Sequence, residues 1–492
     1  MIRPTRTDFL AQAQSNRVVA VVKEMPSDVI TPVDAFYATG ASYLLESVEK
    51  GTVIGRYSFL GVEPVVRLEI RGQECILHEA GTEKRFTRKD PLREVGDILK
   101  ARPFIGEGDL SPFPGGAVGY IGYEYIRKWE KIPRDEAKPR LDLPESLFMI
   151  TRYNLIFDNL MHTLKIVCNV RTGDNLEKDY EEALAGLERI AGKLQDASSV
   201  SIPPLKVPGP GVLSSSYSKE KFMEDVTRIK DMITRGEAIQ VVLSQRMAAD
   251  YNGDPFLIFR ALRSINPSPY MFYLNFGDFA ILGASPEVMV KVEEGRALLR
   301  PIAGTRPRGT TTNEDAALKE ELLSDEKELA EHIMLVDLAR NDLGRIARPG
   351  SVYPSRMMEV EMYSHVMHIV SEVVAELAGS MDVFDVIKAT FPAGTVSGAP
   401  KVRAMEIIEE LEPVERGPYA GLIGYLSYTG TFDSCITIRS MVIADKKVYL
   451  QAGAGIVYDS VPEREYDETL NKAKALFTAL SAGGKNNGFD DR

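Results

Sequence analysis

The chain has 492 residues, 44% apolar and 26% charged, the balance of an ordinary globular protein of ~3 domains at about 150 residues each. Fibrous, collagenous and wholly disordered organisations are excluded, and a chain this long buries enough surface to need no staples. Its 59 Lys and Arg against 71 Asp and Glu give a net charge of −12. There is no basic stripe suited to nucleic acid, so an anionic substrate would depend on a few placed cations or a metal.

The opening MIRPTRTDFL lacks an apolar signal-peptide core, residues 18–22 are too short to supply one, and no run of ~20 residues is apolar enough to span a bilayer. Cys75, Cys168 and Cys435 are far apart and odd in number, which predicts no disulfide framework. A cytoplasmic protein is expected. Residues 163–170 (TLKIVCNV) alternate as a strand, and 176–194 carry apolar residues at helical spacing. Residues 196–216 (DASSVSIPPLKVPGPGVLSSS) form the only long Pro/Gly/Ser-rich segment, a linker or a strap crossing between two units. The expected division is 1–205, 206–483 and a flexible tail 484–492.

In the second part, SDEKE signals the start of a helix over 324–345, with Leu329, Ile333, Val336 and Leu343 on its apolar face. A strand over 447–458 precedes a helix over 463–480 with Tyr466, Leu470, Ala473, Phe477 and Leu480 in step. Each helix carries two glutamates at i,i+3: Glu328 with Glu331, and Glu465 with Glu468. Four carboxylates on two helices suit a hard cation such as Mg²⁺. Surface glutamates give the same pattern, and Glu468 with Lys472 is also an ordinary i,i+4 pair. His365 and His368 form an HxxH, but strand-like alternation around them sends the two imidazoles to opposite faces and argues against zinc. His368 alone remains a functional or a core histidine. In AGAGI (452–456), Gly453 and Gly455 let backbone N–H groups approach an anion, or simply make a tight turn. AGTVSGAPK (393–401) offers Thr395, Ser397 and Lys401 as donors, and Glu287 in ASPE is either a general acid or part of a capping turn.

PIAGTRPRG (301–309), DEKELAEHIMLVDLARNDLGR (325–345), FPAGTVSGAPK (391–401), RGPYAGLIGY (416–425) and AGAGIVYDSVPEREYDETLNKA (452–473) together resemble the chorismate-utilising enzyme family. With LLES (44–47), RYSFLG (56–61), GGAVGYIGYE (115–124) and NPSPYMFYL (266–274), the chain looks like the anthranilate-forming branch. Isochorismate- and salicylate-forming members carry a water-activating lysine where this chain has Gln240. Aminodeoxychorismate-forming members, the nearest alternative, typically carry a nucleophilic lysine at the position of Ala303.

The resemblance implies an α+β fold: two large, mostly antiparallel β-sheets packed as a sandwich with helices outside, the first 205 residues interwoven with a catalytic part over 206–483. It implies conversion of chorismate and ammonia to anthranilate and pyruvate with Mg²⁺. Glu331 and Glu468 would be direct metal ligands, with Glu328 and Glu465 close by or acting through water. Glu287 would protonate the departing hydroxyl, His368 would serve pyruvate elimination, and Gln240, which cannot act as the water-activating base, would fit a pre-formed amine nucleophile. Arg439, Lys472 and Tyr419 would grip the enolpyruvyl carboxylate, with Thr395, Gly453 and Gly455 as nearby donors. Glu46, Ser47, Pro269, Tyr270 and Met271 match the family's tryptophan feedback site. No cysteine sits on a glycine-flanked nucleophile turn, so a separate glutamine amidotransferase subunit is implied, in a heterotetramer with two copies of each chain.

Overall fold

A computed structural model describes residues 2–47, 55–106, 108, 110–196, 202–362 and 366–482; His365 and the expected tail lie outside them. The architecture is built on two long neighbouring strands, Tyr57–Arg71 and Ser146–Asp158, that pair antiparallel along most of their length. Near Glu63 (φ +59°) the register shifts between Pro64 and Val66. A proline without an N–H and a bulge let the strand bend there.

Before that bend the strand pairs with Tyr43–Glu46, which continues through Tyr270–Asn275, Phe279–Ser285, Ser440–Ala444, Lys447–Ile456 and Gln240–Asp250. Beyond it the sheet runs through Gly116–Ile121, Leu422–Ser427, Phe432–Ile436 and Val288–Glu293 to Arg296–Leu299 and Val366–Glu376. The two layers face each other across a core that includes Tyr43, Phe59, Phe113, Tyr120, Phe272 and Ile423. Helices cover the outer faces, with Phe256, Leu262 and Leu476 on one side and Val336, Leu343 and Ile387 on the other. The expected sandwich is therefore present, with one refinement. The two long strands take part in both sheets, so hydrogen bonding runs through all the strands as one continuous network.

Strand pairing also crosses residue 205: Tyr43–Glu46 lies against Tyr270–Asn275, and Gly116–Ile121 against Leu422–Ser427. Residues 202–216 run as a strap. The N–H of Val207 donates to the Ala482 carbonyl at 2.7 Å, Gly211 donates to Asp250 at 3.0 Å, and Ser214–Ser215 pairs with Met247 and Ala248.

The two glutamate-bearing helices are Glu326–Gly344 and Pro462–Leu480. The first is capped by Asp325, whose carboxylate accepts from the N–H groups of Lys327 and Glu328. Its buried stripe corrects the sequence reading: Ile333 is 45% exposed, and His332, Leu335, Val336, Ala339 and Leu343 face inward. The stripe is rotated because His332 bonds across to Ser371 of the Val366–Glu376 strand, 2.6 Å between Nε2 and Oγ. Among the described residues no helix is long and apolar enough to cross a membrane. The three cysteines are buried and unpaired as disulfides.

Candidate active site

A cavity of about 750 Å³ opens between the two glutamate-bearing helices and the strands beneath them. Gln240, Glu287, His368, Thr395, Arg439, Gly455 and Lys472 line it, together with Glu328, Glu331, Glu465 and Glu468. Tyr419 and Gly453 line an inner extension of about 100 Å³. Residues from opposite ends of the chain meet because strand Gln240–Asp250 pairs with Lys447–Ile456, setting Val242 against Gly455 and Ser244 against Gly453. The two glycines make room. A Cβ on Gly455 would fall 2.7 Å from the Gln240 amide nitrogen, and one on Gly453 would fall 3.0 Å from the Tyr419 hydroxyl.

Glu287 stands where the cavity narrows into its extension. Its Oε2 accepts from the Thr395 hydroxyl at 2.9 Å, which leaves Oε1 as the oxygen that can carry a proton. Burial pushes this carboxyl above its usual range, while the Thr395 hydrogen bond and the charges of Lys472 and Arg439 pull it back. A carboxyl raised in this way is suited to work as a general acid. Arg439 is held at φ +50°, a left-handed conformation costing an L-residue about 1–3 kcal/mol and typical of functional positions. Lys472 donates to the Gly453 carbonyl at 3.0 Å and pairs with Glu468 at 2.7 Å. Arg439, Lys472 and the Tyr419 hydroxyl thus give one end of the cavity the donors and positive charge that a carboxylate needs.

His368 projects from the Val366–Glu376 strand, with Nδ1 3.0 Å from both the Gly304 carbonyl and the Thr305 hydroxyl. A carbonyl only accepts, so Nδ1 carries the hydrogen and Nε2 the lone pair of the neutral ring. Burial lowers its pKa, aided by Arg439 and opposed by the Gly304 bond and Glu361, so the ring is neutral at neutral pH.

The four glutamates share the cavity without converging. Among the described residues no three His, Cys, Asp or Glu side chains stand as a ready metal cluster. Local cations explain this: Arg306 lies 3.4 Å from Glu328, and Lys472 holds Glu468. The donor set nevertheless fits a hard divalent ion. Burial raises the Glu331 pKa, and the charges of Glu328 and Glu468 raise it further; Glu465 is likewise raised by burial and by Glu468. Mutually repelling carboxylates across one cavity are the oxygen donors that Mg²⁺ takes, with waters completing its shell.

The segments expected to form a feedback site are also brought together, Met271 pairing with Glu46. Glu46 is buried, and both its oxygens accept from Arg263, at 2.7 and 2.9 Å, a partner the sequence reading missed. The Ser47 hydroxyl is buried with no hydrogen-bond partner among the described residues. Tyr270 turns aside to donate to Asp433 at 2.8 Å, and Pro269 reaches the wall of the large cavity. Gly304 and Thr305 were missed as site residues, although the PIAGTR segment containing them was legible.

Residues 40–478 match the family model described as chorismate binding enzyme. The chain belongs to that family. It is 44% identical to the anthranilate synthase component 1 of Acetivibrio thermocellus over 99% of this chain and 100% of the relative. It is 46% identical to the protein of the same name from a Synechocystis species, over 98% of this chain and 100% of that one. Among solved structures, anthranilate synthase component I of Streptococcus pneumoniae superposes with a TM-score of 0.75 at 38% identity, covering 92% of this chain and 99% of that chain. The menaquinone-specific isochorismate synthase of Escherichia coli, at 21% identity, shares the fold with a TM-score of 0.70 over 96% of this chain and 97% of that chain.

Proposed function

We propose that this chain is the chorismate-converting component of an anthranilate synthase, forming anthranilate and pyruvate from chorismate and ammonia on the route to tryptophan. The observation that carries the reading is the cavity in which a Thr395-supported acid, Glu287, separates a cationic end from a carboxylate-lined end. Near-full-length similarity to anthranilate synthase components supports it.

The enolpyruvyl carboxylate rests on Arg439, Lys472 and Tyr419. Glu287 gives its Oε1 proton to the C4 hydroxyl as that group leaves, and Thr395 keeps the remaining charge hydrogen-bonded. Gln240 offers an amide to orient ammonia at C2. A lysine there would activate water and one at Ala303 would attack the ring, and this chain has neither. The lone pair of His368 on Nε2 suits it to handle a proton during loss of pyruvate. Glu331 and Glu468, with Glu328 and Glu465 nearby, would hold Mg²⁺, which when bound anchors the ring carboxylate and offsets developing charge. Glu46, Ser47, Pro269, Tyr270 and Met271 would take tryptophan, whose ammonium would compete with Arg263 for Glu46. A glutamine amidotransferase subunit would supply ammonia in a cytoplasmic heterotetramer.

The test is anthranilate fluorescence from the purified chain with chorismate and Mg²⁺. Product from ammonium salts and none from glutamine is expected, with rates rising with pH as NH₃ replaces NH₄⁺. Accumulation of an aminodeoxychorismate without pyruvate would refute the assignment.

A further inference from the structure

Glu287 and Thr395 line three cavities at once: the large one, its inner extension, and a third of about 60 Å³. This third chamber lies between the Glu326–Gly344 helix and the Ala393–Thr395 turn, with Leu338, Ala339 and Met289 as apolar walls and two charged ones, Asp342 and Arg300, the latter paired with Glu361. Chorismate does not fit in it. At roughly 10–15 Å³ per water it holds several, and Glu287, Thr395 and Asp342 on its lining are the polar residues that would partner them. Asp342 is fixed by Lys401, whose Nζ donates to it at 2.8 Å and to the Thr390 carbonyl at 3.0 Å. Leu338, Ala393 and Gly394 on the chamber wall are partly exposed, which gives solvent a path that avoids the chorismate cavity.

We infer that this chamber is the water-filled route by which Glu287 regains its proton between turnovers. The inference rests on the proposed reaction. In each cycle the C4–O bond breaks with its electron pair on oxygen, the Glu287 proton goes to that oxygen, and water leaves. The C2–N bond forms, and the nitrogen sheds one proton to solvent. Glu287 is left as a carboxylate with substrate or product filling its wide side. A chamber water returns one proton to it and is itself replenished from bulk solvent. The proton taken up equals the proton shed by nitrogen, so no further reactant is required.

Two variants narrow the chamber from walls that do not line the chorismate cavity: Leu338→Phe and the smaller Ala339→Val. The proposed reaction starts from protonated Glu287, so a single turnover with enzyme in excess should match the wild-type rate within about twofold. Steady-state kcat should fall about tenfold, with a larger solvent deuterium effect, because reprotonation becomes limiting. KM for chorismate and the Mg²⁺ midpoint should not move. Equal slowing of single and multiple turnovers, as a packing defect in the helix would give, overturns the inference. So do unchanged steady-state rates in either folded variant. Wild-type enzyme making no anthranilate in the same assay would instead refute the proposed reaction.

Discussion

Gly455→Ala tests how Gln240 is held. A Cβ at this position lies 2.7 Å from Gln240 Nε2, 3.6 Å from its Cδ and 4.0 Å from its Cγ. Ordinary contact begins near 3.4 Å, so the amide end must retreat by about 0.7 Å or change rotamer, while the rest of the side chain can stay. Gly455 is not in the left-handed region, so alanine adds no backbone strain. The off-rotamer cost of about 0.5–1.5 kcal/mol on Gln240 is offset by roughly 0.4–1 kcal/mol from reduced freedom of the unfolded chain. Stability should therefore barely change, and Tm should stay within about 3 °C. The functional effect should be selective. With the amide displaced, KM for ammonia should rise about tenfold, corresponding to about 1.4 kcal/mol for one lost hydrogen bond, while KM for chorismate holds. The assay is anthranilate fluorescence during ammonium titration at fixed pH. Adding Gln240→Ala to Gly455→Ala should cost little more, since both remove one interaction. A rise in chorismate KM with ammonia KM unchanged would refute the reasoning and make Gly455 a substrate contact only.

Glu331→Gln or Glu468→Gln should lower activity about 100-fold at ordinary Mg²⁺, roughly 3 kcal/mol of lost charge stabilisation, with Tm retained; full activity in either removes it from the ligand set. His368→Met should still bind chorismate and form the aminated intermediate, which liquid chromatography should show accumulating in place of anthranilate. In the wild type, burial lowers the His368 pKa. The neutral ring therefore persists as pH falls, and pyruvate release should be lost only below the ordinary histidine range near about 6.5. Glu46→Gln should weaken tryptophan inhibition while leaving uninhibited kcat unchanged, measured as inhibitor titrations on both proteins; equal inhibition would place the regulator elsewhere.

The individual elements were legible because their causes are local. Helical spacing and the SDEKE start placed the Glu326–Gly344 helix within two residues, and alternation over 163–170 matched the strand Thr163–Arg171. The apolar face of that helix was misjudged at Ile333. Period alone does not say which neighbour a helix meets, and the bond from buried His332 to Ser371 decided it.

The sequence by itself determined residue chemistry: carboxylates in pairs at one-turn spacing, glycines where a strand must admit a neighbour, and neither of the two lysines that mark other branches of the family. Tertiary structure alone decided which charges are compensated. Arg263 lies 217 positions from Glu46, and Thr395 lies 108 from Glu287. No local pattern encodes such pairs, because they arise when strands distant in the chain become neighbours in the sheet. The same holds for the environment of Glu287. Burial raises its pKa and three cavities border the residue, and both depend on walls built by residues that carry no chemical signal of their own.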